Sequence, residues 1–549
     1  MKITTTPKLL NSIFVVFLLS MSAAVQAAEM SYYFYVQFSD KNNSPYSLTN
    51  PAEFLSERAI ARRLHYELIC DSTDLPVNPS YLAQVENLGV PVHSRSKWMN
   101  GVTVLLADSG KMSLVRALPF VKKVQYTGKV DVAARLTNKR KRYKSISDYG
   151  TASTQITQLN GEFLHNQGFR GKGMQIAVLD AGFLNVNTNP AFDSLRLQNR
   201  ILGTRNIINP ASDVYVLDSH GAMVLSTMAA NLPGQFLGTA PDASYWLIRT
   251  EYAPSEYLVE TDFWVSGIEF ADSVGVDVVS SSLGYTAFDD SDMNFKYADM
   301  NGKVSRASRA ATMASKKGIA VVNSAGNEGN KSFHYIGSPA DAEGIITVGA
   351  ITTDSNYSSF SSVGPSFDGR VKPDVCALGT AAALINTSGV PSYGNGTSYA
   401  APIMAGMMAC FLQATKSFYP PYDMDTLLQA VKESGSLYAS PTAEMGFGIP
   451  NFQTALAKLP FFTSLKKDKV KDVLLAMDDK NNTLKIQFLD SLNNKVNAIR
   501  IYSVAGNLMI NQSVSESEIL FHTDTFAPGI YAVCIFGEKL SSTHKVVIR

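Results

Sequence analysis

A short apolar run, Met174-Gln175-Ile176-Ala177-Val178-Leu179, ends on a carboxylate and two small residues, Asp180-Ala181-Gly182. Consecutive apolar residues leave no solvent face, so the run fits a buried strand, and the turn behind it sets Asp180 at the carboxyl end of that strand. Open α/β sheets place their binding sites along that edge. Taken alone, an Asx-turn or a helix cap explains Asp180 equally well. Apolar strands alternate with helical patterns from about residue 145 to 458, which predicts a doubly wound α/β fold around a mainly parallel sheet.

Two further strings give Asp180 a chemical setting. In Gly394-Asn395-Gly396-Thr397-Ser398-Tyr399-Ala400-Ala401-Pro402, small residues let backbone approach a substrate carbonyl, and the run that follows reads as a helix. Ser398 then lies at a helix N-terminus, where partial positive charge favours a developing oxyanion. An isolated serine in such a place is more often a cap. In Ser219-His220-Gly221-Ala222-Met223, a histidine and a glycine open an apolar helix. Of the 7 histidines, His220 alone combines a glycine neighbour, a helix start and a position between Asp180 and Ser398.

The chain order Asp, His, Ser with these strings resembles the subtilisin-like serine peptidases, the subtilases. The resemblance implies that Ser398 is the nucleophile, His220 the general base and Asp180 the residue that orients the imidazole. Asn327, in Val321-Val322-Asn323-Ser324-Ala325-Gly326-Asn327-Glu328, stands where the family keeps its oxyanion donor. Ser282, Leu283 and Gly284, after the strand beginning at Asp277, match the edge that pairs with substrate backbone. Gly337 aligns with the floor of the first specificity pocket, and a glycine floor implies a preference for bulky apolar side chains. The segment from Phe360 to Val375 matches a further signature of the family and is assigned a scaffold role. The chemistry implied needs no cofactor and no metal; structural calcium, common in relatives, is left open because no clean calcium-loop spacing is visible. The chain departs from the family at Ala222-Met223, where many members carry Thr-His, and at Ala181, where Thr or Ser is common.

Outside this region the chain divides further. Residues 1–27 read as a signal peptide: Lys2 and Lys8, an apolar core from Ile13 to Leu19, and a small-residue end at Ala27. Residues 28–144 read as a small α+β unit and linker, which the resemblance makes a propeptide, an inhibitor of its own enzyme. Strands are expected at Tyr32 to Phe38, Val102 to Leu106 and Val121 to Tyr126, and helices at Pro51 to Leu64, Tyr81 to Leu88 and Met112 to Leu118. The basic run Lys139-Arg140-Lys141-Arg142 falls in its linker, a place open to proteolysis. The catalytic unit is placed at 145–458, and residues 470–549 read as a β-sandwich of short strands after a charged linker, Lys466 to Lys471. Ile499 to Gly506, Pro528 to Tyr531 and Lys545 to Arg549 resemble the sorting domain of type IX secretion in Bacteroidetes-like bacteria, which implies a secreted or cell-surface enzyme that partners the secretion machinery.

A net charge of +1 gives no field that would favour nucleic acid. The 4 cysteines are spread over three units, so buried free thiols are expected at Cys376 and Cys410 rather than a disulfide framework. The function expected is a secreted serine endopeptidase, made as a zymogen, acting on polypeptide substrates. A binding protein that merely keeps the fold, or a transpeptidase using the same acyl chemistry, are the competing readings.

Overall fold

The computed structural model describes residues 30–130, 149–216, 218–416, 422–459, 473–478, 482–488, 496–503, 508–514, 516–527, 529–537 and 540–548. The expected signal peptide, both linkers and the basic run lie outside these residues.

The middle unit, expected at 145–458, is built on a seven-stranded sheet. Its strands, in spatial order, are Val375–Leu378, Ile346–Ile351, Ala320–Ser324, Val278–Ser281, Gln175–Asp180, Ser244–Arg249 and Ile201–Asn206. Every neighbouring pair is parallel. Parallel strands must be joined by crossovers that cover both faces, which is why these strands lack a polar face. The strands of residues 278–281, 320–324, 346–351 and 375–378 are buried at every position. Parallel direction also brings all the carboxyl ends to one edge, so Asp180, Arg249, Ser281 and Ser324 end their strands side by side. Helix Thr397–Thr415 packs into one layer with helix His220–Ala229, and helices Val259–Val274 and Arg306–Lys316 form the other. The doubly wound α/β expectation holds.

The amino-terminal unit is a four-stranded antiparallel sheet with helices Glu57–His65 and Pro79–Asn87. The single helix expected over Pro51 to Leu64 is broken: a 3-10 turn, Pro51–Glu53, precedes a fresh helix start at Ser56, whose hydroxyl accepts from Ala59 N at 3.1 Å. A strand not expected, Val92–Ser96, pairs with Gly101–Leu106. The carboxyl-terminal region folds as two antiparallel sheets, of three and four strands, around a shared core that includes Ile486, Ile499, Val533 and Ile535. Its unexpected first strand, Val473–Asp478, follows directly on the charged linker. Cys376 and Cys410 are buried free thiols, as expected.

The amino-terminal sheet rests on the helices Val259–Val274 and Arg306–Lys316. Tyr33, Tyr35, Trp98 and Met99 share one apolar cluster with Phe263, Trp264, Ala307 and Ala311. Charge locks the same contact. The Asp272 carboxylate, fully buried, accepts from Arg62 at 2.5 Å, Arg63 at 3.0 Å and Lys97 at 2.9 Å, three cations of the amino-terminal unit. Burial alone would raise its pKa, but these three cations outweigh it and hold the carboxyl far below the usual range. Glu269, one turn earlier, accepts from Ser96 Oγ at 2.6 Å, Lys97 N at 2.7 Å and Trp98 N at 3.0 Å. Removing one partner from a buried charge group strands the others without compensation. Asp272→Ala is therefore expected to destabilise the full chain by about 3–5 kcal/mol, read as a shift in the denaturant midpoint.

Candidate active site

Asp180 ends the inner strand Gln175–Asp180 and is fully buried. Its Oδ1 accepts from Ala181 N at 2.8 Å and from His220 Nδ1 at 2.8 Å. The imidazole stands at the first residue of helix His220–Ala229, with its side chain about 31% exposed. That hydrogen bond needs helix and strand turn to approach closely, and the next residue explains how they do so. A Cβ on Gly221 would lie 2.5 Å from Gly182 O and 2.8 Å from Asp180 Cβ, so only glycine fits.

Asp218 was not singled out from sequence. Its Oδ1 accepts from His220 N at 2.6 Å, so a second carboxylate holds the imidazole's own backbone. An acid two residues before the histidine was the only signal, and its meaning depends on the turn that brings it back to the helix start. Burial works against charge on the His220 ring, but the Asp180 carboxylate, its hydrogen bond and Asp218 outweigh it, and the pKa is held above the ordinary 6.5.

Ser398 is the second residue of helix Thr397–Thr415. Its carbonyl accepts from Ser282 Oγ at 2.7 Å, and its hydroxyl donates to Ser282 O at 3.5 Å, a long bond. No hydrogen bond joins Ser398 Oγ to His220 among the described residues; the aromatic neighbour of Ser398, Tyr399, has its ring centroid 6.2 Å from that of His220. The Ser398 hydroxyl is thus turned toward the Ser282 carbonyl, just past the end of strand Val278–Ser281.

Asn327 follows strand Ala320–Ser324. Its Oδ1 accepts from Thr397 N and Thr397 Oγ1, both at 3.0 Å, which leaves Nδ2 for another acceptor. A Cβ placed on Gly396, which has φ +149°, would lie 3.6 Å from Ser398 N and 3.8 Å from Asn327 Nδ2. The missing side chain leaves a niche walled by two N–H donors, one of them in a helix first turn that has no intrahelical acceptor. Such a niche suits an oxygen that gains negative charge.

The remaining expected positions lie on one side of this group. Ser282 and Leu283 are buried and Gly284 is exposed, and Leu283 O accepts from Asn323 Nδ2 at 3.1 Å. Gly337 precedes Ser338, which pairs with Tyr285 through hydrogen bonds of 2.7 and 3.2 Å. A Cβ on Gly337 would meet Thr286 Cγ2 at 2.7 Å, so glycine is needed here for packing. As to metals, one group of three carboxylates among the described residues, Glu251, Glu256 and Glu260, brings ligand oxygens within 4.8 Å of one another. Glu251 accepts from Tyr285 Oη, and Glu260 from the Tyr252 and Tyr257 amides.

A carboxylate, an imidazole, an alcohol and an oxyanion niche at one sheet edge make up the parts of acyl transfer. Residues 171–448 match the subtilase family model. The chain is a member of the subtilase family. Its relatives include subtilisin NAT of Bacillus subtilis subsp. natto, 30% identical over 302 residues that cover 55% of this chain and 70% of the relative. Subtilisin of Bacillus pumilus is 28% identical, with 97% of its length covered, and serine protease AprX of Bacillus subtilis is 28% identical over 312 residues, half of this chain and 64% of the relative. Residues 33–144 match a peptidase S8 propeptide domain of Bacteroidota, and residues 480–549 a secretion system C-terminal sorting domain. The subtilase therefore carries a propeptide and a type IX sorting tail, and is a secreted or cell-surface serine peptidase of the Bacteroidota type.

In this subtilase, Gly221→Ala is expected to force the histidine helix away from the aspartate turn. Overpacking of this kind costs about 1–3 kcal/mol, so thermal unfolding should shift downward and peptidase activity should fall with it.

Proposed function

We propose that the mature enzyme hydrolyses peptide bonds through Asp180, His220 and Ser398, with Asn327 Nδ2 and Ser398 N receiving the oxyanion. The observation that carries this reading is the 2.8 Å contact from His220 Nδ1 to a fully buried Asp180 carboxylate. A carboxylate so placed fixes the tautomer that leaves Nε2 free as a base. When substrate enters, the Ser398 hydroxyl gives up its long bond to Ser282 O and turns to His220 Nε2. His220 takes the proton as Ser398 Oγ attacks the carbonyl, and the tetrahedral oxygen moves into the niche beside Gly396. The imidazolium, stabilised by Asp180, then protonates the leaving amine, and water activated by the same ring releases the acid from the acyl-enzyme. The protein's own residues carry each of these steps.

Substrate backbone adds as a strand along Ser282, Leu283 and Gly284. A glycine at 337 keeps the first specificity pocket open to bulky apolar side chains. The enzyme is made as a zymogen: the propeptide, spanning 28–144 with its linker, holds the catalytic unit 145–458 through the Asp272 and Glu269 contacts and acts as its inhibitor. Residues 1–27 direct export, and the sandwich at 470–549 is read by the secretion machinery.

Ser398→Ala is expected to abolish hydrolysis of a casein or peptide substrate while thermal unfolding stays within about 1 kcal/mol of wild type. Normal turnover by that variant would refute the assignment. The pH profile tests His220. A base must be neutral, and its pKa is raised above 6.5, so activity should fall as pH drops through a value above 6.5. Asp218→Asn removes one of the charges that raise it, so the acidic limb of kcat/KM should move to lower pH.

A further inference from the structure

Asp341 is a fully buried carboxylate that the catalytic steps above do not use. Its Oδ1 accepts from Ser308 Oγ, and its Oδ2 accepts from Gly302 N at 2.7 Å. Two cations of the segment from Phe360 to Val375, which so far has only a scaffold role, reach the same stretch of chain. Arg370 Nη2 donates to Asp341 O at 2.7 Å. Lys372 Nζ donates to Thr347 Oγ1 at 2.9 Å, and that hydroxyl donates in turn to Ala340 O at 2.6 Å. The ion pairs of both cations are made elsewhere, Arg370 with Asp368 at 2.9 Å and Lys372 with Asp374 at 2.7 Å. Burial raises the Asp341 pKa, while the Ser308 and Gly302 hydrogen bonds and the Lys372 and Arg370 charges work the other way. A carboxylate buried in this manner costs stability that an apolar side chain of similar size would not, so its use lies in what it holds.

What it holds is the segment of Gly337. The Asp341 amide donates to Gly337 O at 3.2 Å, which closes a turn over Ser338, Pro339 and Ala340. Ser308 Oγ stands 2.9 Å from Ser338 Oγ, a hydrogen bond that either hydroxyl can donate, and Ser338 Oγ donates to Ser305 Oγ at 2.6 Å. All four residues of this chain are buried. Ser305 caps helix Arg306–Lys316, accepting from Ala307 N at 3.2 Å, and Ser308 lies in the first turn of that helix. The Ser338 side chain is therefore pinned to a helix start by a buried polar network, an arrangement that is rigid when its members are satisfied. On its backbone side, Ser338 exchanges hydrogen bonds of 2.7 and 3.2 Å with Tyr285, the residue directly after Ser282-Leu283-Gly284. The position of Ser338 thus sets how Gly337 stands against the proposed substrate edge. Clearance there is small, since a Cβ on Gly337 would lie 2.7 Å from Thr286 Cγ2.

We propose that Asp341 is a positioning residue for substrate selection: through Ser308 and Ser338 it fixes the Gly337 wall, and with it the fit of a bulky apolar side chain in the first specificity pocket. This rests on the peptidase reading above and names the group that gives its pocket a fixed shape. Being buried, Asp341 meets no substrate and acts only through the two serines. The network includes none of Asp180, His220 and Ser398, so its loss is felt in KM before kcat.

The test compares two peptides that differ only by phenylalanine or alanine immediately before the scissile bond, cleaved by mature enzyme. Wild type is expected to favour phenylalanine by about tenfold or more in kcat/KM, the scale of a filled apolar pocket. In Asp341→Ala and in Ser338→Ala that ratio should fall by about fivefold or more, the scale of one lost hydrogen bond, with the larger part of the change in KM for the phenylalanine peptide. Asp341→Asn, which keeps an oxygen for the Ser308 hydroxyl, should return the ratio to within about twofold of wild type. A lower thermal midpoint in Asp341→Ala and Ser338→Ala with an unchanged ratio would mark a merely structural role and overturn the proposal. Equal loss for both peptides, or a wild type that does not distinguish them, would overturn it as well. Should Asp341→Ala not fold, Ser338→Ala decides by the same ratio. Fluorophosphonate labelling of Ser398 in wild type separates the two readings: if the peptidase reading fails, wild type is unlabelled and neither peptide is cut, whereas if only the positioning role fails, wild type is labelled and active and the variants keep its ratio.

Discussion

A carboxylate that is fully buried at the end of an inner strand must be answered by charge or by donors, and Asp180 is answered on Oδ1 by His220 Nδ1 and Ala181 N, while its Oδ2 has no hydrogen-bond partner among the described residues. Much of the catalytic unit can be understood as what that contact requires. The strand that carries Asp180 is flanked by parallel neighbours on both sides, which fixes its end at the common edge. The helix that carries His220 can reach it only across Gly221 and Gly182, where side chains would collide with the opposing backbone. The serine helix is buried along almost its whole length and so has no freedom to drift from the edge it starts at. Geometry at the site is thereby set by the packing of two helix starts and one strand end, elements that are rigid for reasons unrelated to chemistry.

The propeptide contact obeys a different balance. Apolar surface from Tyr33, Tyr35, Trp98 and Met99 supplies affinity, while the cations around Asp272 and the amides around Glu269 specify position. Both carboxylates belong to helix Val259–Val274, whose start carries Glu260 and whose preceding loop carries Glu251 and Glu256. The acids at the carboxyl-terminal end of this helix are thus answered by cations and amides of the propeptide, whereas Glu260 at its start is answered by the Tyr252 and Tyr257 amides of its own unit. Burial pushes the Glu260 carboxyl up, and the Tyr252 and Tyr257 amides that donate to it work in the opposite direction.

What could be read in the sequence was local. Strand Gln175–Asp180 and helix Thr397–Thr415 announce themselves through apolar runs with small residues at their ends, and the strands from Thr483 to Ile548 through turn residues between them. Val92–Ser96 gave no such sign, because V-H-S-R-S has no apolar alternation and becomes a strand only by pairing with Gly101–Leu106. The break at Ser56 was hidden by helix-favouring residues on both sides, and it is the cap hydroxyl that decides it. Tertiary electrostatics left no local mark at all: Arg62, Arg63, Lys97 and Asp272 are scattered over some two hundred positions, and their meaning appears only once the sheet is seated on the helix.

The same reasoning separates the two acids near the imidazole. Asp180 was legible because a strand and a turn surround it, whereas Asp218 sits in an irregular loop where an aspartate has many ordinary uses. Its contribution arises from a backbone hydrogen bond to His220 N and from proximity of charge, and both are consequences of where the loop must run to let the helix begin beside Gly182. Asp180 fixes the ring and Asp218 fixes the backbone that bears it. An imidazole held at both points has little orientational freedom left to lose when the Ser398 hydroxyl turns toward it, so the remaining reorganisation falls on a single serine side chain.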